Sequence, residues 1–209
     1  MKVDPQILLL FQTFAAKHRG IFTIHDLEGL FGTKQPVALQ QKLRPFLQAK
    51  ILSRFCRGFY VAKEFDLEWL SQRIAPDSAI SLGTVLSREM VIGSIPQKTV
   101  YAVKVGKSRV YKSSLGQVVH LGFTGGDAKA MMAFGYKKME KFIRYADKER
   151  AFLDALYFYQ RGHKFSFNIY SDIQVKKLDQ KIVNRYLVRY KNPKFVKFVE
   201  GVCHAKHTV

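Results

Sequence analysis

Cysteine is scarce in this sequence, which contains only two in 209 residues. Cys56 and Cys203 lie far apart, and neither belongs to a Cys-x-x-Cys pair. This spacing excludes a disulfide framework and the zinc modules that use paired cysteines. A chain without structural disulfides is typical of a reducing compartment, so we expect a cytoplasmic protein.

Long apolar runs are also missing. The longest one near the start, residues 7–11, is far shorter than the roughly 20 residues that a transmembrane helix needs. No signal-peptide pattern is present either. A hydrophobic content of 47% with 17 phenylalanines argues against disorder. The sequence therefore predicts a folded protein that does not cross a membrane.

Acidic residues are few, 16 against 35 lysines and arginines, and the formal net charge is +19. Such an excess of basic residues favours a polyanionic partner such as nucleic acid. The excess is uneven, because residues 76–209 hold 24 of the basic and 10 of the acidic residues. The larger C-terminal part should therefore also meet nucleic acid or an acidic protein surface.

Residues 1–63 have the pattern of a winged helix-turn-helix domain. A helix over residues 6–17 precedes a short helix over residues 25–31, which Thr23 caps and Gly32 ends, and a glutamine-rich helix follows. Residues 51–55 and 59–61 are typical of strands, joined by a tight turn at Cys56-Arg57-Gly58. This order of elements places a recognition helix in the major groove of DNA.

The glutamine-rich helix has one apolar and one polar face. Its apolar stripe follows the spacing i, i+4, i+7, i+8 and comprises Leu39, Leu43, Phe46 and Leu47. The opposite face offers Lys34, Ala38, Gln41, Arg44 and Gln48. Glutamine can pair with adenine and arginine with guanine in the major groove, and an arginine on the wing can reach a phosphate. We predict a DNA-binding surface comprising Lys34, Gln35, Ala38, Gln41, Lys42, Arg44, Arg54 and Arg57.

Pro45 lies inside this helix pattern. Proline lacks the backbone N–H that a helix interior uses and costs about 3 kcal/mol there. We therefore expect a kink or a break near Arg44.

A linker over residues 64–77, with a short helical patch, should lead to a larger α+β domain over residues 78–209. A helix is expected from Ser78 to about Met90. Alternating patterns over residues 99–105, 109–112 and 117–123 predict a small antiparallel sheet, whose first two strands pair across Gly106-Lys107-Ser108. Further helices are predicted over residues 148–161, 178–190 and 194–201. The first of them should bury Phe152, Leu153, Leu156 and Tyr159.

Several short segments resemble, in order, landmarks of the AbiEi family of antitoxins. They are Ile80-Ser81-Leu82, Val85-Leu86, Val91-Ile92, Ile95-Pro96-Gln97, Phe134-Gly135-Tyr136 and the run that begins at Glu149-Arg150 and ends at Leu156-Tyr157. The family more often has lysine where Arg150 stands. The resemblance implies a winged helix followed by an antitoxin domain. It also implies a repressor that binds inverted repeats in its own promoter and counters a nucleotidyltransferase-type toxin, while the oligomeric state stays open.

A basic column is predicted on the penultimate helix, formed by Lys177, Lys181, Arg185 and Arg189. The opposite side should be buried and carries Ile182, Val183, Tyr186, Leu187 and Tyr190. Like charges at i and i+4 oppose each other by roughly 0.2–0.5 kcal/mol per pair, and an external anion would relieve that repulsion. We predict DNA flanking the operator as this anion, with an acidic toxin surface as the alternative.

Clustered carboxylates offer a different function, that of a metal-dependent nuclease. Asp147, Glu149 and Asp154 lie on or beside one predicted helix. The first two suit the positive end of that helix without a metal, and a lone acid such as Asp154 is commonly the partner of an arginine. We therefore expect no catalytic activity and no cofactor. A nuclease and an RNA-binding module remain the alternatives to a DNA-binding repressor.

Two further motifs do not predict a phosphate-binding or metal-binding site. The glycine-rich stretch from Gly122 to Asp127 lacks the Gly-Lys-Ser or Gly-Lys-Thr ending of a phosphate loop. Cys203, His204 and His207 have no second cysteine pair nearby, so they do not predict a metal site.

Overall fold

Our computed structural model of the protein describes residues 3–138 and 142–204. The chain divides into two compact units. The first unit contains residues up to Leu70 together with Tyr111–Leu115, and the second contains Ser71–Val110 and the chain from Gly116 onward. The division falls within the segment 64–77 that the sequence pattern assigns to a linker. Helices and strands occur in both units, so the predicted α+β class is confirmed.

The first unit has the element order of a winged helix. Its elements are α1 (Pro5–Lys17), β1 (Ile21–Thr23), α2 (Ile24–Phe31), α3 (Pro36–Gln48), β2 (Leu52–Cys56) and β3 (Phe59–Ala62). Strand β3 lies between β1 and β2 and pairs antiparallel with both. The predicted helices and hairpin are confirmed. Strand β1 is not predicted, because three residues are too few to show a period.

Local capping explains where α2 begins and ends. The Thr23 hydroxyl accepts a hydrogen bond from the Asp26 N–H, and the Asp26 carboxylate accepts one from the Thr23 N–H at 2.7 Å. This reciprocal pair satisfies N–H groups that the first turn of a helix leaves open. Gly32 ends the helix with φ of 61°, a conformation that glycine adopts without steric cost. The turn to α3 therefore needs only residues 33–35.

One apolar core holds the unit together. Its buried members are Phe11, Phe22, Leu27, Leu39, Leu43, Phe46 and Leu52. The ring of Phe11 lies 5.3 Å from that of Phe22 and 5.1 Å from that of Phe46, measured between centroids. The prediction that Leu47 joins this core is wrong, because its side chain is 37% exposed. Leu47 lies on the flank of α3, about 100° around the helix from Phe46.

The helix does not break near Arg44, where a kink or a break is expected. Helix α3 runs without interruption from Pro36 to Gln48 with Pro45 inside it. The buried ring of Phe46 also contacts Phe31, with ring centroids 5.6 Å apart. Core packing of the last turn therefore offsets the single backbone hydrogen bond that proline removes.

The second unit combines a mixed sheet with several helices. Helix α4 (Leu67–Ile74) and strand β6 (Arg109–Ser113) both span the division. The other elements are β4 (Ala79–Ile80), α5 (Leu82–Arg88), β5 (Thr99–Val105), β7 (Gly116–Phe123), α6 (Ala128–Met131), β8 (Tyr136–Lys138), β9 (Arg144–Ala146), α7 (Lys148–Gln160), α8 (Gln180–Leu187) and α9 (Pro193–His204). A 3-10 turn at Val175–Lys177 precedes α8. The helix predicted from Ser78 begins only at Leu82, because β4 takes the residues before it.

The predicted small antiparallel sheet is wrong in topology. The six strands follow the order β6-β7-β5-β4-β9-β8, and β5 runs parallel to β7. Strands β5 and β6 therefore do not pair, although only residues 106–108 connect them. This connection crosses the end of β7, where the Gly106 N–H donates to the Phe123 carbonyl at 2.8 Å and the Gly122 N–H to the Ser108 hydroxyl at 2.9 Å.

Helix α7 forms the centre of the second unit. Its predicted cap is confirmed, because the Asp147 carboxylate accepts from the Arg150 N–H at 2.8 Å. Phe152, Leu153 and Leu156 are fully buried as predicted. Tyr159 is not, since 37% of it is exposed near the end of the helix. Within the described residues, no helix has both the length and the apolar character needed to cross a membrane.

A buried histidine makes the second unit sensitive to acid. His120 on β7 is fully buried, and its Nε2 lies 2.9 Å from the hydroxyl of Ser71. Burial, assisted by the charge of Lys104, lowers the pKa of His120 from 6.5 to about 4. The unfolded chain therefore binds a proton more readily than the folded one, and stability is lost as the pH falls from 6.5 towards 4.

We expect the free energy of unfolding to fall by up to about 1.4 kcal/mol for each pH unit across this window. Urea unfolding between pH 7.5 and 5 measures the slope of the free energy of unfolding against pH, in a range where ordinary carboxylates do not titrate. His120→Gln removes this titrating group and should reduce the slope, while His163, whose pKa burial also lowers, keeps a share of it. Equal slopes in the parent and the variant would contradict the assignment to His120.

Candidate nucleic-acid interface

The outward face of α3 and the wing form one cleft in the first unit. This α3–wing cleft has a volume of 460 Å³ and is lined by Val37, Gln40, Gln41, Leu43, Arg44, Leu47, Gln48, Arg54 and Tyr60. Three amide side chains and two guanidinium groups line it, and none of its lining residues is acidic. Amides can pair with base edges, while guanidinium groups suit guanine or phosphate.

The two wing residues reach the cleft through strand pairing. Arg54 on β2 and Tyr60 on β3 are direct cross-strand partners, so their side chains share one face of the hairpin. A β-bulge follows, because the pairing shifts between Arg54 and Cys56. Bulges increase the local twist of a hairpin. The turn at Arg57-Gly58 ends the wing, with Gly58 at φ of 84° and Arg57 exposed.

Three of the predicted DNA-binding residues meet in this cleft, namely Gln41, Arg44 and Arg54. Lys34 and Gln35 are exposed, but they precede α3, and Gln35 is its N-cap residue. Ala38 is half-buried. These three residues therefore lie at the start of the helix and outside the cleft.

Lys42 has a role within the unit. Its ammonium group donates to the Phe31 carbonyl at 2.7 Å. That carbonyl belongs to the last turn of α2, where carbonyls lack helical partners and attract cations. Lys42 thus holds α2 against α3, while its contact with DNA stays a prediction.

The sequence pattern missed Gln40, Val37 and Tyr60 as members of the cleft. Gln40 lies 100° around α3 from Gln41, on a side that also lines the cleft with the wing residues. That side can be identified only when the direction of the hairpin is known. The spacing of glutamines therefore indicates a polar face but does not locate its centre.

The basic column predicted in the second unit is wrong as a continuous helical feature. Helix α8 covers only Gln180–Leu187, so Lys177 lies in the preceding 3-10 turn and Arg189 follows the helix. The Lys177 ammonium donates to the Met90 carbonyl at 2.7 Å. Lys181, Arg185 and Arg189 are exposed. On the opposite side, Val183, Leu187 and Tyr190 are buried as predicted, whereas Ile182 and Tyr186 are only partly buried.

The clustered carboxylates of α7 bind protein groups. Asp147 also accepts from the Tyr186 hydroxyl at 2.6 Å, and Glu149 accepts from the Asp179 N–H at 2.9 Å. Both contacts attach the start of α7 to the region of α8. Among residues 3–138 and 142–204, no group of three or more histidine, cysteine or acidic side chains is arranged to hold a metal ion. His207 lies outside the described residues.

Asp154 belongs to a buried cluster with Arg150, Tyr136 and Ser81. Its carboxylate accepts from the Ser81 hydroxyl at 2.7 Å and the Tyr136 hydroxyl at 2.8 Å, and lies 2.9 Å from Arg150 Nη2. The Arg150 side chain is fully buried, and its Nε donates to the Tyr136 hydroxyl at 2.8 Å. The cluster is therefore an internal ion pair with two hydroxyl donors.

Burial raises the pKa of Asp154, and Arg150 with the two hydroxyls opposes that rise. Burial, the largest single influence, would lower the pKa of Arg150, but Asp154 together with the hydroxyls of Tyr136 and Tyr190 outweighs it and the pKa is raised. The pKa of the Tyr136 hydroxyl also lies well above its ordinary value, mainly through burial and then through Asp154. The arginine stays charged, and its charge favours the ionised form of the carboxylate that faces it.

No family model matches the chain, and no curated protein matches it. A solved structure does match, the crystal structure of the RV2827C protein from Mycobacterium tuberculosis. The TM-score is 0.63 at 11% sequence identity, and the match covers 98% of this chain and 78% of that chain. At this identity the similarity concerns the fold alone.

Proposed function

We propose that this protein is a DNA-binding transcriptional repressor whose α3–wing cleft contacts duplex DNA. The observation that carries the proposal is the convergence of Gln41, Arg44 and Arg54 in a cleft without acidic residues. An exposed polar helix face and a basic hairpin match the two parts with which winged helices meet a major groove and its flanking backbone. The net charge of +19 supports a polyanionic partner.

We further propose that it acts as the antitoxin of a toxin-antitoxin operon in the cytoplasm, binding inverted repeats in its promoter and countering a nucleotidyltransferase-type toxin. The resemblance to the AbiEi family supports this role. The resembling segments contribute Ser81, Tyr136, Arg150 and Asp154 to one buried cluster, so these landmarks are structural. The toxin would therefore contact other residues of the second unit, whose exposed cations suit an acidic surface.

The recognition helix can be tested through sequence preference. Gln41→Ala and Arg44→Ala should each weaken binding to the preferred duplex by about 1–3 kcal/mol and reduce its preference over unrelated duplexes, because base contacts are lost. Fluorescence anisotropy with promoter and scrambled duplexes measures both effects. Gln97→Ala, an exposed glutamine of the second unit, is the matched control. If both α3 variants bound every duplex as the parent does, the cleft would not be the reading surface.

The wing tip should behave differently from α3. Arg57→Ala should weaken binding to all duplexes to a similar extent and reduce the slope of log affinity against log salt by about 0.9, the value for one lost phosphate contact. A titration from 50 to 300 mM salt gives this slope. A change of preference without a change of slope would contradict a phosphate contact.

The same preparations separate the alternative functions. Incubation with duplex DNA and magnesium or manganese should leave the duplex intact, whereas metal-dependent cleavage would favour a nuclease. Preference for RNA over duplex DNA would favour an RNA-binding module. For the antitoxin role, co-expression should relieve the growth arrest caused by a nucleotidyltransferase encoded beside its gene. Failure to do so would leave a repressor without antitoxin activity.

A further inference from the structure

Helix α1 carries apolar side chains on its solvent side as well as on its core side. Leu9 and Leu10 are 66% and 54% exposed, and Ile7 is 41% exposed, while Phe11 is buried. A surface helix normally places polar residues opposite its core face. A neighbouring group of exposed apolar residues usually marks a surface that another protein covers.

Two grooves of the first unit flank this helix. One has a volume of 870 Å³, and its lining includes Leu8, Gln12, Ala16, Ile51 and Phe65. The other has a volume of 330 Å³, and its lining includes Ile7, Leu10, Leu30, Phe31 and Pro45. Helix α1 is therefore a ridge between two grooves. Two such surfaces can pack together around a two-fold axis, because the ridge of each copy enters a groove of the other.

The charges of α1 favour an antiparallel arrangement of the two copies. Asp4 caps the first turn and Lys17 lies in the last turn, and both side chains are exposed. Antiparallel packing brings Asp4 of each copy near Lys17 of the other and pairs opposite ends of the two helix dipoles. A parallel arrangement would bring like charges together at both ends.

We propose that the protein forms a two-fold symmetric homodimer through α1, with α1 of a second copy as the occupant of this apolar surface. The inference rests on the proposed function in one respect: a two-fold dimer presents two recognition helices to the two halves of an inverted repeat. Dimerisation itself follows from the shape, apolar exposure and charge of the first unit.

Sedimentation of the full chain over a concentration series, without DNA, tests the interface. The double variant Leu9→Glu, Leu10→Glu should raise the dimer dissociation constant by roughly 100-fold or more, because it places charges in the apolar centre of the interface. Both positions are exposed and glutamate is a good helix former, so the fold should survive, which circular dichroism checks. Val188→Glu, at a position that is 85% exposed in the second unit, should leave the dimer intact.

DNA separates this inference from the proposed function. The double variant should keep the affinity of the parent for a single half-site and lose cooperative binding to the whole inverted repeat. A parent that sediments as a monomer at every concentration would overturn the dimer. If the parent were monomeric and the double variant lost toxin binding, the dimer would also be overturned and the surface would be assigned to the toxin. Failure of the parent to bind any half-site would overturn the DNA proposal, while the sedimentation result would stand.

Discussion

Replacing Asp154 by asparagine should lower the free energy of unfolding of the second unit by about 3–5 kcal/mol, the cost of leaving a buried charge without its partner. Asparagine has nearly the volume of aspartate, so packing is preserved and the loss is electrostatic. Arg150 cannot release its proton and is fully buried, so its charge would remain inside the unit. The rings of Phe134 and Tyr136 lie 4.2 Å and 4.9 Å from its guanidinium carbon, but a ring quadrupole compensates only part of a full charge.

Urea unfolding followed by far-ultraviolet circular dichroism measures this loss. Trp69, the only tryptophan, lies on α4 at the end of the first unit, and its fluorescence gives a second probe of unfolding. Asp127→Asn is the matched control, because Asp127 pairs with Lys191 at 2.8 Å while its side chain is 62% exposed. An exposed pair contributes less than about 1 kcal/mol.

Removing both charges distinguishes an ion pair from general packing. If the cost arises from an unpaired Arg150, Arg150→Met combined with Asp154→Asn should be more stable than Asp154→Asn alone. Simple addition of the two single losses would contradict this explanation. It would then assign the role of the cluster to the hydroxyl contacts of Ser81 and Tyr136.

The helices of both units follow largely from local chemistry, which explains why they could be predicted. Thr23 and Asp147 cap the helices that they precede, and Gly32 ends α2 where a left-handed residue is needed. These signals act within one or two turns of the chain. Burial of most residues of the stripes on α3, α7 and α8 follows from the same periodicity. The errors at Leu47, Tyr159, Ile182 and Tyr186 fall on the flanks of helices or near their ends.

The sheet of the second unit could not be predicted in the same way. Its strand order depends on contacts between distant segments, such as the parallel pairing of Thr99 with Gln117. A three-residue connection normally indicates a hairpin, so β5 and β6 are predicted to pair. The short strands β4, β8 and β9 have too few residues for a period. The buried cluster is equally non-local, since Ser81 and Asp154 are 73 positions apart.

The candidate site was predicted in part. The polar face of α3 follows from helical geometry, and Gln41 and Arg44 lie where that geometry predicts. Lys42 also lies near that face, but it binds the carbonyl of Phe31, a contact that depends on the packing of α2. Tertiary neighbours therefore decide which polar residues of a helix stabilise the fold and which remain available to a partner.

Gly122→Ala should destabilise the second unit by at least about 3 kcal/mol, near the upper end of overpacking costs, because the backbone around it cannot give way. A Cβ at this position would overlap the Gly106 carbonyl oxygen and would lie 2.8 Å from the Lys107 carbonyl carbon. These atoms belong to the connection that crosses β7. The connection between β5 and β6 can therefore cross β7 only because Gly122 has no side chain.

Neighbouring glycines in the same stretch provide controls that isolate the cause. Gly125 has φ of 90° with open space around it, so Gly125→Ala should cost about 1 kcal/mol through backbone strain alone. Gly126 has neither a positive φ nor a close neighbour, and Gly126→Ala should change stability by less than about 0.5 kcal/mol. Urea unfolding of the three variants should rank them Gly122, Gly125, Gly126 in decreasing cost.

A glycine-rich stretch that bound a phosphate would instead lose ligand affinity when Gly125 or Gly126 is replaced, because the backbone is exposed there, with little change in stability. That result would return the stretch to the phosphate-loop interpretation, whereas the expected ranking assigns Gly122 to the strand crossing.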